Sequence, residues 1–142
     1  MAKLKEKTNI PLASGERIYS RYGYRPFLES RSLDIIQPDI ANCGGITEGK
    51  KICDMAQIYD VLVQTHVCGG PISNAAALQI EAVIPNFCIH EYHVGNMTDF
   101  TKSLGVYNDS PVNGNIAIPD RPGIGQEIPD SIIKKCDIIT IN

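Results

Sequence analysis

Short, mainly apolar runs that end in polar residues recur along this chain, and longer stretches with helical periodicity separate them. A run of this length is typical of a β-strand, in which every second side chain lies on one face. Four such segments cover residues 10–16, 33–39, 61–66 and 87–91. Glycine, asparagine, cysteine or aromatic residues, which favour a loop here, follow each of them. The pattern therefore predicts four strands, each ending in a loop.

Helices are predicted in the stretches between these strands. Residues 46–59 carry apolar side chains at positions i, i+3, i+4 and i+7, which is typical of one amphipathic helix. Residues 71–83 are rich in alanine and begin with Pro71, and proline is favoured in a first helical turn. A short helix is predicted within residues 22–30, with a start at Pro26 favoured, and residues 2–7 favour a helix end. Strands that alternate with helices, without a hairpin signal, predict parallel pairing and right-handed crossovers.

Each predicted strand ends in an acid–base side chain, and the spacing of these side chains is nearly constant. Glu16, Asp39, His66 and Glu91 follow one another at intervals of 23, 27 and 25 residues. One interval has room for a strand, a loop and a helix. The strands of a (β/α) barrel run parallel, end at one rim and carry the catalytic groups there. The spacing therefore predicts that the four side chains lie together.

The length of the chain allows only part of such a barrel. Eight βα units need about 250 residues, whereas this chain has 142. We therefore expect an α/β fold in residues 1–94, the C-terminal half of a TIM-type (β/α) barrel with about four βα units. The regular pattern stops after this range, and the prolines and glycines of residues 109–126 are typical of turns. Residues 95–142 are therefore predicted to form an irregular C-terminal arm that covers the barrel.

Composition adds the general class of protein. The chain is 43% hydrophobic and 20% charged, with a formal net charge of −3, which is typical of a globular protein. Its lysines and arginines are dispersed, so neither a nucleic acid nor an anionic membrane is expected as a partner. No apolar run is long enough for a membrane span, and no signal peptide is visible. The five cysteines cannot all pair, and we expect reduced thiols in the cytoplasm.

His66 and Asp39 are the first candidates for chemistry. A histidine at a strand end is more often structural than catalytic, but neighbouring parallel strands lie only about 4.8 Å apart. A carboxylate on the neighbouring strand end can accept the imidazole N–H, fix its tautomer and favour its charged form. This pairing predicts that His66 donates or accepts a proton near neutral pH.

The two glutamates allow two interpretations each. Glu16 is either a solvated acid or a ligand of Mg²⁺, and the remaining ligands would then come from strands that this chain does not contain. Glu91 is either an ordinary rim acid or a group that holds a substrate hydroxyl or stabilises an oxyanion.

Two weaker signals remain. Several potential zinc ligands occur in the second half of the predicted barrel, but their spacing does not match a closed structural site. They are His66, Cys68, Cys88, His90 and His93. The Gly-Gly pairs at 44–45 and 69–70 each precede a helix, where they could bind an anion or simply allow a tight loop.

Four segments carry a resemblance to a known family. They are IPLASGER (10–17), DIIQPDIANCGGITEGKKI (34–52), THVCGGPISNAAALQIEAVIPNF (65–87) and PDRPGIGQEI (119–128). Their order and spacing resemble the mandelate racemase and muconate lactonizing branch of the enolase superfamily, most of all its acid-sugar dehydratases of the galactonate dehydratase type. The likeness extends from about residue 8 to residue 130. It implies that residues 1–94 correspond to strands 5–8 of the family's barrel. It also implies that residues 95–142 form an arm that packs on the barrel or on the family's capping region.

The resemblance also implies a reaction and a role for each residue. Glu16 matches a carboxylate ligand of the family's Mg²⁺, Asp39 and His66 match its Asp–His dyad, and Glu91 matches an acid beside the substrate enolate. Such dehydratases remove the proton α to a carboxylate, form an enediolate stabilised by the metal, and lose the 3-hydroxyl to give a 2-keto-3-deoxy acid. The histidine at the position of His66 protonates the departing hydroxyl.

The chain departs from this family pattern in two respects. The family's other metal ligands, its base and its N-terminal capping domain have no counterpart here, so the 142 residues alone are predicted to be inactive. The sequence THVCGG around His66 also differs from the expected PHCPLG, which leaves the acid sugar open. A racemase or epimerase of the same superfamily and a non-catalytic truncated chain remain alternatives. A small sugar acid is the expected substrate, and the expected partner is a second copy or the missing half of the barrel.

Overall fold

The computed structural model describes residues 1–140 of the chain. Its regular elements are short, and helices alternate with parallel strands through the first half. In chain order they are α1 (Ala2–Lys5), β1 (Ala13–Ser14), α2 (Ser20–Glu29), β2 (Ile35–Ile36), α3 (Gly45–Ile58), β3 (Leu62–Val63), α4 (Pro71–Glu81), a 3-10 helix (Val94–Met97), α5 (Asp99–Lys102) and α6 (Asp130–Ile133). This order confirms the predicted α/β class.

The three strands form one parallel sheet in the order β1-β2-β3. Ile36 pairs with Ser14 on one side and with Val63 on the other. The pairing of the second and third strand segments resumes at the rim, where Asp39 and His66 form an isolated parallel bridge. This bridge brings two of the predicted site residues side by side.

The fourth predicted strand is present only as an isolated bridge between Val63 and Phe87. On the side of β3, the Cys88 N–H donates to the carbonyl of Val63, and the Val63 N–H donates to the carbonyl of Asn86. Among the described residues no strand pairs with its other side, and its pairing with β3 does not continue beyond this bridge. The expectation of a full strand over 87–91 is therefore wrong for this chain.

Two helices follow the predicted pattern closely and one does not. α3 and α4 lie within one or two residues of the predicted ranges. α2, however, begins at Ser20 and contains Pro26 in its interior, so the prediction of a start at Pro26 is wrong. Tyr24 and Leu28 are both fully buried on one face of α2, and this burial outweighs the backbone bond that an exposed proline removes.

The helices cover one face of the sheet only. Ile36 and Val63 point into the core beneath the helices and are fully buried. Leu62 alternates with Val63, faces the opposite side and is 44% exposed. Parallel sheets normally have both faces covered. The described sheet therefore has the one-sided arrangement expected of part of a barrel.

The segment after residue 94 packs against α4. Gln79 of that helix donates to the carbonyl groups of Pro119 and Ile124 at 3.4 and 3.2 Å. Within the arm, Arg121 lies over the ring of Tyr107 at 4.2 Å. The division of the chain at residue 94 stays a prediction. None of the helices in residues 1–140 has the length and apolarity needed to cross a membrane.

Candidate functional site

The four predicted residues follow the ends of successive strand segments. Glu16 lies two residues after β1, and Asp39 and His66 each lie three residues after β2 and β3. Glu91 lies four residues after the bridge at Phe87. Because the strands are parallel, these positions occur at the same edge of the sheet.

Asp39 and His66 form a hydrogen-bonded pair. His66 Nδ1 lies 2.9 Å from Asp39 Oδ2, and the Asp39 side chain is only 4% exposed. The backbone N–H of Ala41 donates to the other oxygen, Asp39 Oδ1, at 2.9 Å. An ionised carboxylate only accepts, so His66 donates to Asp39 through Nδ1–H, and Nε2 faces the rim.

Glu16 lies on the other side of the same imidazole. Its Oε2 is 3.0 Å from His66 Nε2, and 53% of its side chain is exposed. Arg17 approaches the second oxygen of Glu16 at 3.7 Å. His66 is therefore held between a buried carboxylate at Nδ1 and a half-exposed carboxylate at Nε2, and the Nε2 side is the more accessible of the two.

A tight turn determines the direction of Glu16. The preceding residue, Gly15, packs so closely that an added Cβ would lie 2.6 Å from the backbone nitrogen of Gln37. The buried hydroxyl of Tyr24 donates to the carbonyl of Gly15 at 2.8 Å. Burial, and next the nearby thiol of Cys43, raises the pKa of Tyr24, so this hydroxyl stays protonated and donates.

Glu91 reaches the same region through the backbone. The N–H of Val67, the residue after His66, donates to Glu91 Oε2 at 2.8 Å. Among the described residues no hydrogen bond or ion pair joins Glu91 directly to His66, Asp39 or Glu16. The structure thus brings Glu16, Asp39 and His66 into direct contact and places Glu91 beside them.

Cys68 is an additional group at this edge. Its Sγ lies 4.0 Å from His66 Nδ1. Desolvation, followed by the negative charges of Asp39, Glu91 and Glu16, raises the pKa of the Cys68 thiol. The thiol is therefore protonated at neutral pH and is a weak nucleophile there.

The zinc interpretation is not supported in the form expected from the sequence. Within residues 1–140, the one group whose ligand atoms all lie within 4.8 Å of one another is Asp39, His66 and Cys68. Cys88, His90 and His93 are not part of this group of potential ligands. His90 is instead bonded to Glu81 and Asn74.

Glu16 fits one position of a magnesium site. It is a carboxylate, the ligand type that Mg²⁺ prefers, and 53% of its side chain is exposed. Asp39 does not fit a second position, because its side chain is only 4% exposed and both of its oxygens face the interior contacts with Ala41 and His66. The described residues therefore provide one carboxylate toward a site that draws on further ligands.

The glycine pairs have a conformational explanation. Gly44, Gly45 and Gly70 have φ angles of 120°, 82° and 83°, in the region that favours glycine. They lead directly into α3 and α4. The tight-loop interpretation therefore accounts for both pairs.

The sequence did not reveal a buried polar network behind the rim. Glu81 accepts a hydrogen bond from the Thr65 hydroxyl, and its other oxygen lies 2.7 Å from His90 Nδ1. His90 Nε2 lies 3.0 Å from Asn74 Oδ1. One signal pointed to it, because Asn74 and Glu81 are polar positions in a helix that is mostly alanine and other apolar residues.

Comparisons with known proteins identify the family to which this fold is similar. Residues 1–132 match a family model described as enolase C-terminal domain-like. The D-xylonate dehydratase of Haloferax volcanii is 38% identical over 120 residues, which are 84% of this chain and 29% of that protein.

Two solved structures superpose closely on the described fold. An enolase-superfamily member from Salmonella Typhimurium has a TM-score of 0.97 and 56% identity, over 99% of this chain and 36% of its own. A candidate dehydratase from Zymomonas mobilis ZM4 has a TM-score of 0.91 and 53% identity, over 94% of this chain and 34% of its own. The chain thus spans about a third of the length of these relatives.

Proposed function

The chain belongs to the enolase superfamily, as a member of its C-terminal domain-like family, and we propose that the complete protein is a Mg²⁺-dependent acid-sugar dehydratase. The observation that carries the proposal is the contact series Glu16–His66–Asp39 at the carboxyl ends of parallel strands. The dehydratase relatives support the reaction type. The cytoplasmic location and the oligomeric partner stay predictions of the sequence.

His66 is the proposed acid that protonates the departing 3-hydroxyl. Asp39 holds the proton at Nδ1, so the proton that can be transferred is the one at Nε2, which faces the half-exposed carboxylate of Glu16 at 3.0 Å. After the transfer, the neutral imidazole keeps its Nδ1–H bond to Asp39. The buried carboxylate therefore stabilises the charged ring before the transfer and fixes its tautomer afterwards.

Glu91 is the proposed group that orients the substrate. One of its oxygens accepts the Val67 N–H, which fixes the carboxylate against the strand that carries His66. Its second oxygen can accept a substrate hydroxyl at the same edge. A hydrogen bond of this kind orients the departing 3-hydroxyl toward its proposed proton donor, His66.

Glu16 is the proposed metal ligand in this part of the protein. Bound there, Mg²⁺ supplies Lewis-acid polarisation of the substrate carboxylate. Glu16 also lies 3.0 Å from His66 Nε2. The carboxylate proposed to bind the metal therefore also contacts the nitrogen proposed to donate the proton.

The first test replaces His66 by Asn in the complete protein. We expect the dehydration rate to fall by about 10²- to 10⁴-fold, the usual contribution of a general acid. A carbonyl reagent measures the keto-acid product from a panel that includes galactonate and xylonate. Chromatography detects any isomer formed, since an epimerase would yield an isomer and no keto acid. Dehydration that survives in His66→Asn would contradict the assigned role.

The second test replaces Glu16 by Gln. Removing the carboxylate charge should weaken Mg²⁺ binding, as measured by calorimetric titration, whereas His66→Asn should leave it nearly intact. Glu29→Gln is the matched control, because Glu29 is an exposed glutamate on α2 that pairs with Arg25. An Mg²⁺ affinity in Glu16→Gln equal to that of the control would refute the ligand assignment.

A further inference from the structure

A buried carboxylate lies behind the candidate site, and the proposed reaction makes no use of it. Glu81 is the last residue of α4, and its side chain is only 3% exposed. Burial of a carboxylate is costly unless hydrogen bonds and an opposite charge compensate for the lost water. Both oxygens of Glu81 are occupied, one by the Thr65 hydroxyl and one by His90 Nδ1.

The hydrogen bonds of His90 explain how this carboxylate tolerates burial. Asn74 Oδ1 is an amide oxygen and only accepts, so His90 donates to it through Nε2. His90 Nδ1 and Glu81 Oε2 are 2.7 Å apart and share one further proton. The pair therefore carries no net charge, whichever atom holds that proton, and each member is hydrogen-bonded on both sides.

The two partners of Glu81 are the chain neighbours of two proposed site residues. Thr65 directly precedes His66, and His90 directly precedes Glu91. The hydrogen bond from the Val67 N–H to Glu91 links the same two segments at the rim. One buried side chain thus connects the ends of two adjacent strand segments to α4.

We propose that Glu81 is a positioning residue, which fixes the relative placement of His66 and Glu91 by holding Thr65 and His90. The inference rests on the roles that the proposed function gives to His66 and Glu91. Glu81 itself touches neither of the two side chains in the described contacts. Its effect on the reaction therefore passes through the backbone of the two segments.

Two substitutions of Glu81 in the complete protein separate positioning from charge. Glu81→Gln keeps both contacts, because its carbonyl accepts from Thr65 and its amide donates to Nδ1 of a neutral His90. Glu81→Leu removes both contacts at a similar side-chain size. We expect Glu81→Leu to lower kcat by about 10- to 100-fold, with a smaller change in KM, since small displacements of reacting groups have effects of that size. Glu81→Gln should stay close to the wild type.

Amide hydrogen exchange provides a readout that does not need turnover. The Val67 N–H is protected by Glu91, so its exchange reports whether the two segments keep their relative placement. Exchange in peptides that contain Val67 should accelerate in Glu81→Leu and remain slow in Glu81→Gln. Ile80→Ala is the matched control, because Ile80 is buried beside Glu81 in α4 but packs in the apolar core. It should not accelerate Val67 exchange selectively.

Unchanged Val67 exchange in Glu81→Leu would overturn the inference, and so would an equal loss of kcat in Glu81→Gln or Ile80→Ala. If Glu81→Leu does not fold, Thr65→Val removes only the hydroxyl contact, and faster Val67 exchange is expected there too. Slow exchange in Thr65→Val would then count against the inference. A wild-type protein that dehydrates no acid sugar would contradict the proposed function alone, because the exchange result stands without turnover.

Discussion

At Gly15 the neighbouring strand lies so close that only a hydrogen atom fits in place of a side chain. An added Cβ would approach the Gln37 nitrogen to 2.6 Å and the Tyr24 hydroxyl to 2.7 Å. Neither atom can retreat easily, since one is backbone and the other is fully buried. This crowding directs Glu16 toward His66, so the placement of one proposed functional residue depends on a residue with no side chain.

Gly15→Ala is therefore expected to affect both stability and the site. Forcing a methyl group into this contact should lower the free energy of unfolding by about 1–3 kcal/mol, which is typical of overpacking. Displacement of Glu16 should also weaken Mg²⁺ binding by the complete protein. Urea denaturation and calorimetric titration measure the two effects.

Gly114→Ala is the control for this substitution. Gly114 has a φ angle of 76°, but nothing lies within 4 Å of an added Cβ. Gly114→Ala should lower the free energy of unfolding through its positive φ angle and should leave Mg²⁺ binding unchanged. Equal Mg²⁺ affinities in the two variants would contradict the role assigned to Gly15.

Between elements, one carboxylate connects α1, β1 and β2. Asp34 directly precedes β2, and it accepts hydrogen bonds from Lys5 of α1 at 2.5 Å and from the N–H of Leu12 at 2.7 Å. The Lys5 hydrogen bond and then the Leu12 N–H lower the pKa of Asp34. The folded state therefore favours the ionised form of this residue.

The lowered pKa has a defined consequence for stability. A carboxyl group with a lower pKa in the folded state stabilises the fold above its unfolded pKa of about 3.9, and this contribution disappears as the pH falls further. Asp34→Asn should therefore be less stable than the wild type at pH 7, and the difference should shrink below about pH 4. Urea denaturation between pH 3 and pH 7 measures it.

Asp120→Asn is the control for this substitution, because Asp120 is an exposed acid in the arm. It should match the wild type across the pH range. A stability difference for Asp34→Asn that does not change with pH would show that the charge of Asp34 is not the cause.

For the whole molecule, the described sheet leaves apolar side chains and strand edges uncovered. Leu62, Phe87 and Ile89 are all exposed, the last at 60%. The backbone of residues 87–91 has no strand partner on its outer side within the described part of the chain. Unpaired edges and exposed apolar surface both favour association.

The 142-residue polypeptide expressed by itself is therefore expected to self-associate. Light scattering should report a mass above the 15.5 kDa of one chain. Ile89→Ser should reduce the association, whereas Ile138→Ser, at a position that is 78% exposed near the end of the described chain, should not. A stable monomer at micromolar concentration would contradict the half-barrel picture.

The sequence by itself determined the class of fold and the candidate residues, because both depend on local periodicity and spacing. Short apolar runs defined the strand segments, the amphipathic pattern defined α3 and α4, and the intervals between Glu16, Asp39 and His66 placed these residues at one edge. The family resemblance supplied their expected roles. The runs and the helical pattern are local signals, and the intervals follow from repeating them along the chain.

Only the tertiary structure decided the features that depend on contacts between distant segments. Burial of Tyr24 and Leu28 extended α2 through Pro26, against the local preference of proline. The fourth strand segment forms only a single bridge, between Val63 and Phe87, which its run of apolar residues did not indicate. Glu81 contacts Thr65, which lies 16 residues earlier in the chain, and His90, which lies nine residues later. A sequence pattern does not specify which buried polar groups will meet, since the packing of helix against sheet selects the partners.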